Sequence, residues 1–206
     1  MEAKEDFIKK LLEVTYNNYG DDFQLALIPE KYSKQVISYG SMKVDLISVL
    51  DYLNELKKTE NTIFESSFMY SAISIYGRCF TSSKDYTQLN VKQVFGNNSI
   101  HLKNHEYLRN LRDRFIAHRR KTEFELGAAF IAVSKSNPEK ATMKFQQMRI
   151  GSWSVKRIDE LIETVNYVLI HVEKKFESCG LRLYDKILEN YSTEEIESFF
   201  INHLFE

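Results

Sequence analysis

Between Arg109 and Arg120 the chain reads RNLRDRFIAHRR, and this stretch holds the side chains best suited to chemistry on a phosphate. Five arginines (Arg109, Arg112, Arg114, Arg119 and Arg120), His118 and one acid, Asp113, are threaded on Leu111, Phe115, Ile116 and Ala117. Arginine presents a planar fork of donors that matches phosphate oxygens and keeps its charge at any physiological pH. Histidine exchanges protons near neutrality. Together they are the parts needed to cleave RNA without a metal. A base takes the proton of a 2′-hydroxyl, that oxygen attacks the adjacent phosphate, and arginines steady the charge that builds up. From His101 to Lys121 the chain carries seven basic residues and two acids, Glu106 and Asp113, although its net charge is only -1. Charge concentrated in this way marks a candidate site for a polyanion.

The same residues have plainer uses. Asp113 stands one turn from Arg109, as in an ordinary surface pair, and His118 would be favoured near a helix C-terminus. In an unbroken helix the six-residue step from Arg112 to His118 sets the two side chains about 120° apart. They would then flank a groove rather than stack, especially if the helix ends near His118.

Helices must position these groups. The 206 residues include two prolines and seven glycines, few enough to disfavour a loop-rich β protein. Apolar residues at helical spacing predict a first helix from Glu2 to about Tyr19, ended by Gly20. After an irregular stretch with Pro29 and Gly40 as breakers, Ser41 reads as the N-cap of a helix to about Lys58. A third helix, Asn61 to about Phe80, is apolar nearly all round, as a central helix would be. Residues 81–98 read as a polar connection, and Ser99 opens the helix carrying the arginines, with a seam of Ile100, Tyr107, Leu108, Leu111 and Phe115. The period then falls to two in Phe124–Ala132 and Thr142–Met148, around the turn signal Ser136-Asn137-Pro138-Glu139, which predicts a β-hairpin. From Ser154 a long apolar helix runs to about Glu177, and shorter helices follow Gly180. The expectation is an all-α bundle of four long helices plus flanking ones, a single domain over 1–206 with a hairpin inserted at about 123–151.

The segment HEYLRNLRDRFIAHR resembles the signature of the HEPN superfamily, in particular its abortive-infection and toxin branch. There an arginine, a polar residue and, after a short spacer, a histidine close one long core helix before another apolar helix. Arg112, Asp113 and His118 match, with five residues between arginine and histidine. The preceding SIYGRCFT, Ser74 to Thr81, resembles the helix end that some members place before the motif helix, and the likeness extends over roughly residues 40–178. The resemblance implies a metal-independent endoribonuclease of a defence or toxin–antitoxin system, with an antitoxin protein as a partner. It implies a homodimer in which two copies of the motif form one composite site. Arg112 would hold the scissile phosphate, His118 would act as acid or base, and Asp113 would orient them. The charge of Arg109, Arg114, Arg119 and Arg120 suits them to the RNA backbone. The rival expectation is a non-catalytic HEPN-like interaction or RNA-binding module.

Other features rank lower. His101 and His105, at i and i+4, have a spacing that can hold a metal, but no cysteine or carboxylate on that face completes a set. They read as a solvated pair on a polar stripe, and neither a metal nor a cofactor is expected. Arg78 reads as capping its helix C-terminus, and Trp153 and Tyr167 as core. Cys79 and Cys179 have no CxxC neighbour and read as small buried hydrophobes. The N-terminus MEAKEDFIKKLL lacks a signal-peptide pattern and no run approaches the roughly 20 apolar residues of a membrane span, so a cytoplasmic protein is expected. Phe199, Phe200, Leu204 and Phe205 form an apolar tail, and the acids from Asp185 to Glu206 could shield the basic stretch.

Overall fold

A computed structural model describes residues 2–20, 25–28, 30–116, 125–137, 139–149 and 152–197. Among the described residues, seven helices and one hairpin follow in order: α1 (Glu2–Tyr19), α2 (Glu30–Lys58), α3 (Thr62–Arg78), α4 (Val91–Phe95), α5 (Ser99–Leu111), β1 (Glu125–Val133), β2 (Ala141–Arg149), α6 (Val155–Asn190) and α7 (Thr193–Glu197). A single π-helical turn, Arg112–Ile116, continues α5. The chain is therefore mainly helical, as its composition predicts. None of the described helices is long and apolar enough to cross a membrane.

Contacts divide the chain into two compact units, 37–176 and a second made of 1–36 with 177–206. The larger unit holds the main core. Leu46, Val49 and Leu53 of α2 meet Met69, Ile73 and Tyr76 of α3, Leu108 and Leu111 of α5, and Ile158, Leu161, Val165 and Val168 of α6. Each such side chain contributes about 1.5–3 kcal/mol by leaving water. In the smaller unit Ile8, Cys179 and Leu183 are buried, and Tyr191 donates a 2.8 Å hydrogen bond to Tyr32 Oη.

Asparagines start three of the helices. Asn61 accepts from the amides of Ile63 and Phe64, Asn90 from Gln93, and Asn98 from His101, each satisfying donors that the first helical turn leaves open. The predicted stops at Gly40 and Gly180 are not stops. Residues 30–58 form one helix, in which Gly40 lies against the Phe176 ring, where a Cβ would stand 3.3 Å from Cε2. Close packing keeps glycine there, and Ser41 is an interior residue rather than a cap. Helix α6 likewise runs through Gly180 to Asn190, because its flanking turns supply enough helical hydrogen bonds to tolerate one weak former. The connection 81–98 is more than polar: it contains α4, whose Val94 and Phe95 are buried. Ile100, placed on the α5 seam by its spacing, is exposed, as are Ile63 and Phe64 in the first turn of α3.

A polar brace locks α5 to α6. Asn104, buried, donates to the Glu160 carbonyl at 3.2 Å and to Thr164 Oγ1 at 3.0 Å, and accepts from Arg157 at 2.8 Å. The Arg157 guanidinium also bonds Glu160 and lies 4.1 Å from the Tyr107 ring centroid. Trp153, buried as expected, donates from Nε1 to Tyr107 Oη at 2.9 Å. Ser154, where the sequence starts this helix, accepts from the Arg157 amide.

The hairpin forms in the predicted place, with Ala129 opposite Phe145 and Ile131 opposite Met143. Ile131, Met143 and Phe145 share one face by this register and are exposed, Met143 to 79 %.

Candidate functional site

Arg112 ends the regular part of α5. Its amide donates to both Leu108 O and Arg109 O, and the wider turn follows directly. Turns of this kind are rare and often sit at functional positions. A π turn rotates each residue by less than an α turn, so the 120° estimate for Arg112 and His118, which assumed an unbroken helix, does not carry through it. His118, Arg119 and Arg120 lie outside the described residues.

The Arg112 stem crosses α3 at Gly77. A methyl group built on Gly77 would overlap Arg112 Cδ, so only glycine lets the side chain lie there. Beyond that crossing lies a cavity of about 220 Å³, walled by Tyr76, Phe80, Thr81, Ser82, Gln88, His105, Arg109 and Arg112 besides Gly77. Among the described residues, two arginines and no carboxylate line it. Asp113 stands outside this lining, 3.5 Å from Arg112 Nη1 and 3.9 Å from Arg109 Nε. Both distances exceed a hydrogen bond, so the carboxylate offsets charge without closing either fork. Arg114 is exposed and outside the cavity lining.

His105 is not the solvated residue its spacing suggests. It is 1 % exposed, with Phe80 and Phe95 ring centroids at 4.3 and 4.9 Å. Burial, and next the charge of Arg109, lower its pKa to about 4, so the ring is neutral near pH 7. Its Nδ1 lies 3.0 Å from Tyr76 Oη, while Nε2 is buried without a hydrogen-bond partner among the described residues. Burial raises the Tyr76 pKa well above its ordinary value, so Tyr76 keeps its proton. Either partner can donate in that bond, according to which ring nitrogen of His105 carries the hydrogen. His101 is also packed rather than solvated, stacked 4.5 Å from Tyr167 with Nδ1 3.1 Å from Thr164 Oγ1. Among the described residues no group of histidines, cysteines and acids could hold a metal ion.

Arg78 neither caps α3 nor enters this cavity. It forms a two-pronged ion pair with Asp45 of α2, which raises its pKa, and with Asp45 it borders a second cavity of about 280 Å³ that includes Ser38, Cys79 and Tyr86. Burial pushes the Cys79 thiol up to about 12, which leaves it an inert core residue.

Sequence reasoning therefore picked out Arg109, Arg112 and Asp113, which the structure gathers at one place. It missed Gly77, Tyr76, Phe80 and Gln88. Gly77 carried a faint signal, being the one glycine in an otherwise apolar helix. No protein-family model, curated protein or solved structure matches the chain.

Proposed function

We propose that this chain is a metal-independent endoribonuclease of a defence or toxin–antitoxin type, built in the manner of the HEPN superfamily and acting as a homodimer. Arg112 holds the scissile phosphate. His118 takes the 2′-hydroxyl proton, the 2′-oxygen forms its bond to phosphorus, and the bond to the 5′-oxygen breaks as that oxygen regains a proton. Asp113 orients the two groups, and Arg109, Arg114, Arg119 and Arg120 follow the RNA backbone. An antitoxin protein would restrain the activity in the cell. The observation that supports the reading best is Arg112 itself, seated over Gly77 on a cavity lined, among the described residues, by a second arginine and no acid.

The deciding experiment is RNA cleavage in EDTA by the purified protein beside His118→Ala. Cutting by the wild type alone, leaving a 2′,3′-cyclic phosphate, is expected. Equal cutting by both would remove His118 from the reaction. No cutting by either protein over a wide RNA panel would leave the non-catalytic RNA-binding module.

A further inference from the structure

The hairpin β1–β2 carries apolar surface that no other described residue covers. From Gly127 to Val133 every residue of β1 is exposed, and so is every residue of β2 from Ala141 to Met148 except the half-buried Gln147. The register sorts these residues by face. Ala129, Ile131, Val133, Met143 and Phe145 share one face, whereas β2 gives the other Thr142, Lys144 and Gln146, which suit water. On the apolar face the Phe145 ring lies across Gly127, where a Cβ would stand 3.3 Å from Cε2. Ile131, Val133, Met143 and Phe145 are each more than half exposed, so the face leaves on the order of 500 Å² of apolar surface in water. Contiguous patches of that size mark interaction sites. A two-stranded hairpin is also marginal in water without something packed on it. The turn from Ser134 to Lys140 holds Lys135, Glu139 and Lys140, so the arm is polar at the tip, where a loop that enters lipid would be apolar. Its apolar surface runs along the flank, over about 20 Å of strand.

We propose that the occupant of this face is the same face of a second copy, packed about a two-fold axis parallel to the strands. Two such faces together remove about 1,000 Å² from water, the size at which specific interfaces begin. The axis sets β1 of each copy over β2 of the other at the same level, so every contact is made twice. Phe145 then meets Ala129, and Val133 meets Ala141, a large side chain against a small one, as close packing requires. Within 127–133 and 141–147 the face bears no charge, so the two-fold brings no like charges together. The interface includes none of Arg112, Asp113 and His118. It therefore stands apart from the composite site and can be tested without RNA.

The test is sedimentation equilibrium of the full chain over a concentration series, with Phe145→Glu, Ile131→Glu and Thr142→Glu beside the wild type. The wild type is expected to reach a dimer. Phe145→Glu and Ile131→Glu put a charge on the apolar face and should each raise the dimer Kd at least tenfold, with circular dichroism unchanged. Thr142→Glu puts the same charge on the opposite face of the same arm and should leave the Kd unaltered. Methyl NMR of the wild type supplies a readout that needs no substitution. The Met143 signal should shift on dilution, while that of Met148, on the other face, should hold.

A wild type that stays monomeric at every concentration overturns the interface, as does a dimer whose Kd is the same in Phe145→Glu and Ile131→Glu. A monomer whose Met143 signal shifts only with phosphatidylcholine–phosphatidylglycerol vesicles gives the face to lipid and overturns it too. RNA cleavage by a dimer that both substitutions leave intact would remove this interface and keep the nuclease. A dimer weakened by both, with no RNA cleavage by the wild type, would keep the interface and remove the nuclease.

Discussion

His105 and Arg112 show how little of a side chain's role its spacing reveals. At i+4 from His101, His105 reads as solvated, yet it is enclosed by Phe80 and Phe95, residues from a helix end and a separate short helix. Its pKa of about 4 has a consequence for stability. The unfolded chain, with an ordinary histidine near 6.5, takes a proton before the folded one does. The stability contributed by neutral His105 is thus fully present above about pH 6.5 and is lost as the pH falls toward about 4. His171, lowered by burial and then by Lys175 and Lys174, acts in the same direction. Thermal unfolding across that window should show Tm falling with pH, and His105→Asn should flatten the slope. An unchanged slope would mean that His105 is not held neutral. For Arg112, substitution by lysine keeps the charge and loses the fork, so cleavage should fall by about tenfold or more with the fold intact. Wild-type rates for Arg112→Lys would deny the arginine a geometric role.

Helix boundaries illustrate a different competition. Gly40 and Gly180 are equal as local breakers, and both lie inside helices. Only Gly40 has a packing reason, the Phe176 ring. Nothing lies within 4 Å of a Cβ built on Gly180. Gly180→Ala should therefore stabilise the chain by about 1 kcal/mol in urea denaturation, while Gly40→Ala should gain less or lose. A destabilised Gly180→Ala would show that the glycine serves something beyond helix propagation. The α5–α6 brace makes the opposite case, for polar groups chosen by their partners. Arg157→Met would leave the buried Asn104 oxygen without its donor and remove the cation over Tyr107. Loss of about 1–3 kcal/mol is expected.

For the molecule as a whole, the proposed composite site demands two chains. Specific RNA-cleaving activity should fall with dilution in step with the dimer fraction measured by sedimentation, and activity retained by a pure monomer would exclude a shared site. The acidic C-terminal residues offer a second handle. A truncation near residue 184 would sever α6 and remove Tyr191, partner of Tyr32, so neutralisation is the cleaner change. If those acids shield the basic stretch, Glu194→Gln with Glu195→Gln should tighten RNA binding measurably, and unchanged affinity would dismiss the shield.

Much of this architecture is local and so was readable from the chain. Apolar period distinguishes the helices from the hairpin between Glu125 and Arg149, because side-chain direction repeats every 3.6 or every 2 residues regardless of what lies opposite. Charge density likewise singles out Arg109, Arg112 and Asp113 before any folding is considered. What a residue meets across the core depends on parts of the chain far away in sequence, and only the tertiary structure decides it. Packing kept Gly40 inside α2, and α4 closed over His105. The same long-range contacts set Gly77 beneath Arg112 and turned a solvated-looking histidine into the wall of a cavity. Periodicity reports which face of an element is apolar; the approach of one helix to another determines where a glycine must stand and which polar atom is left without a partner.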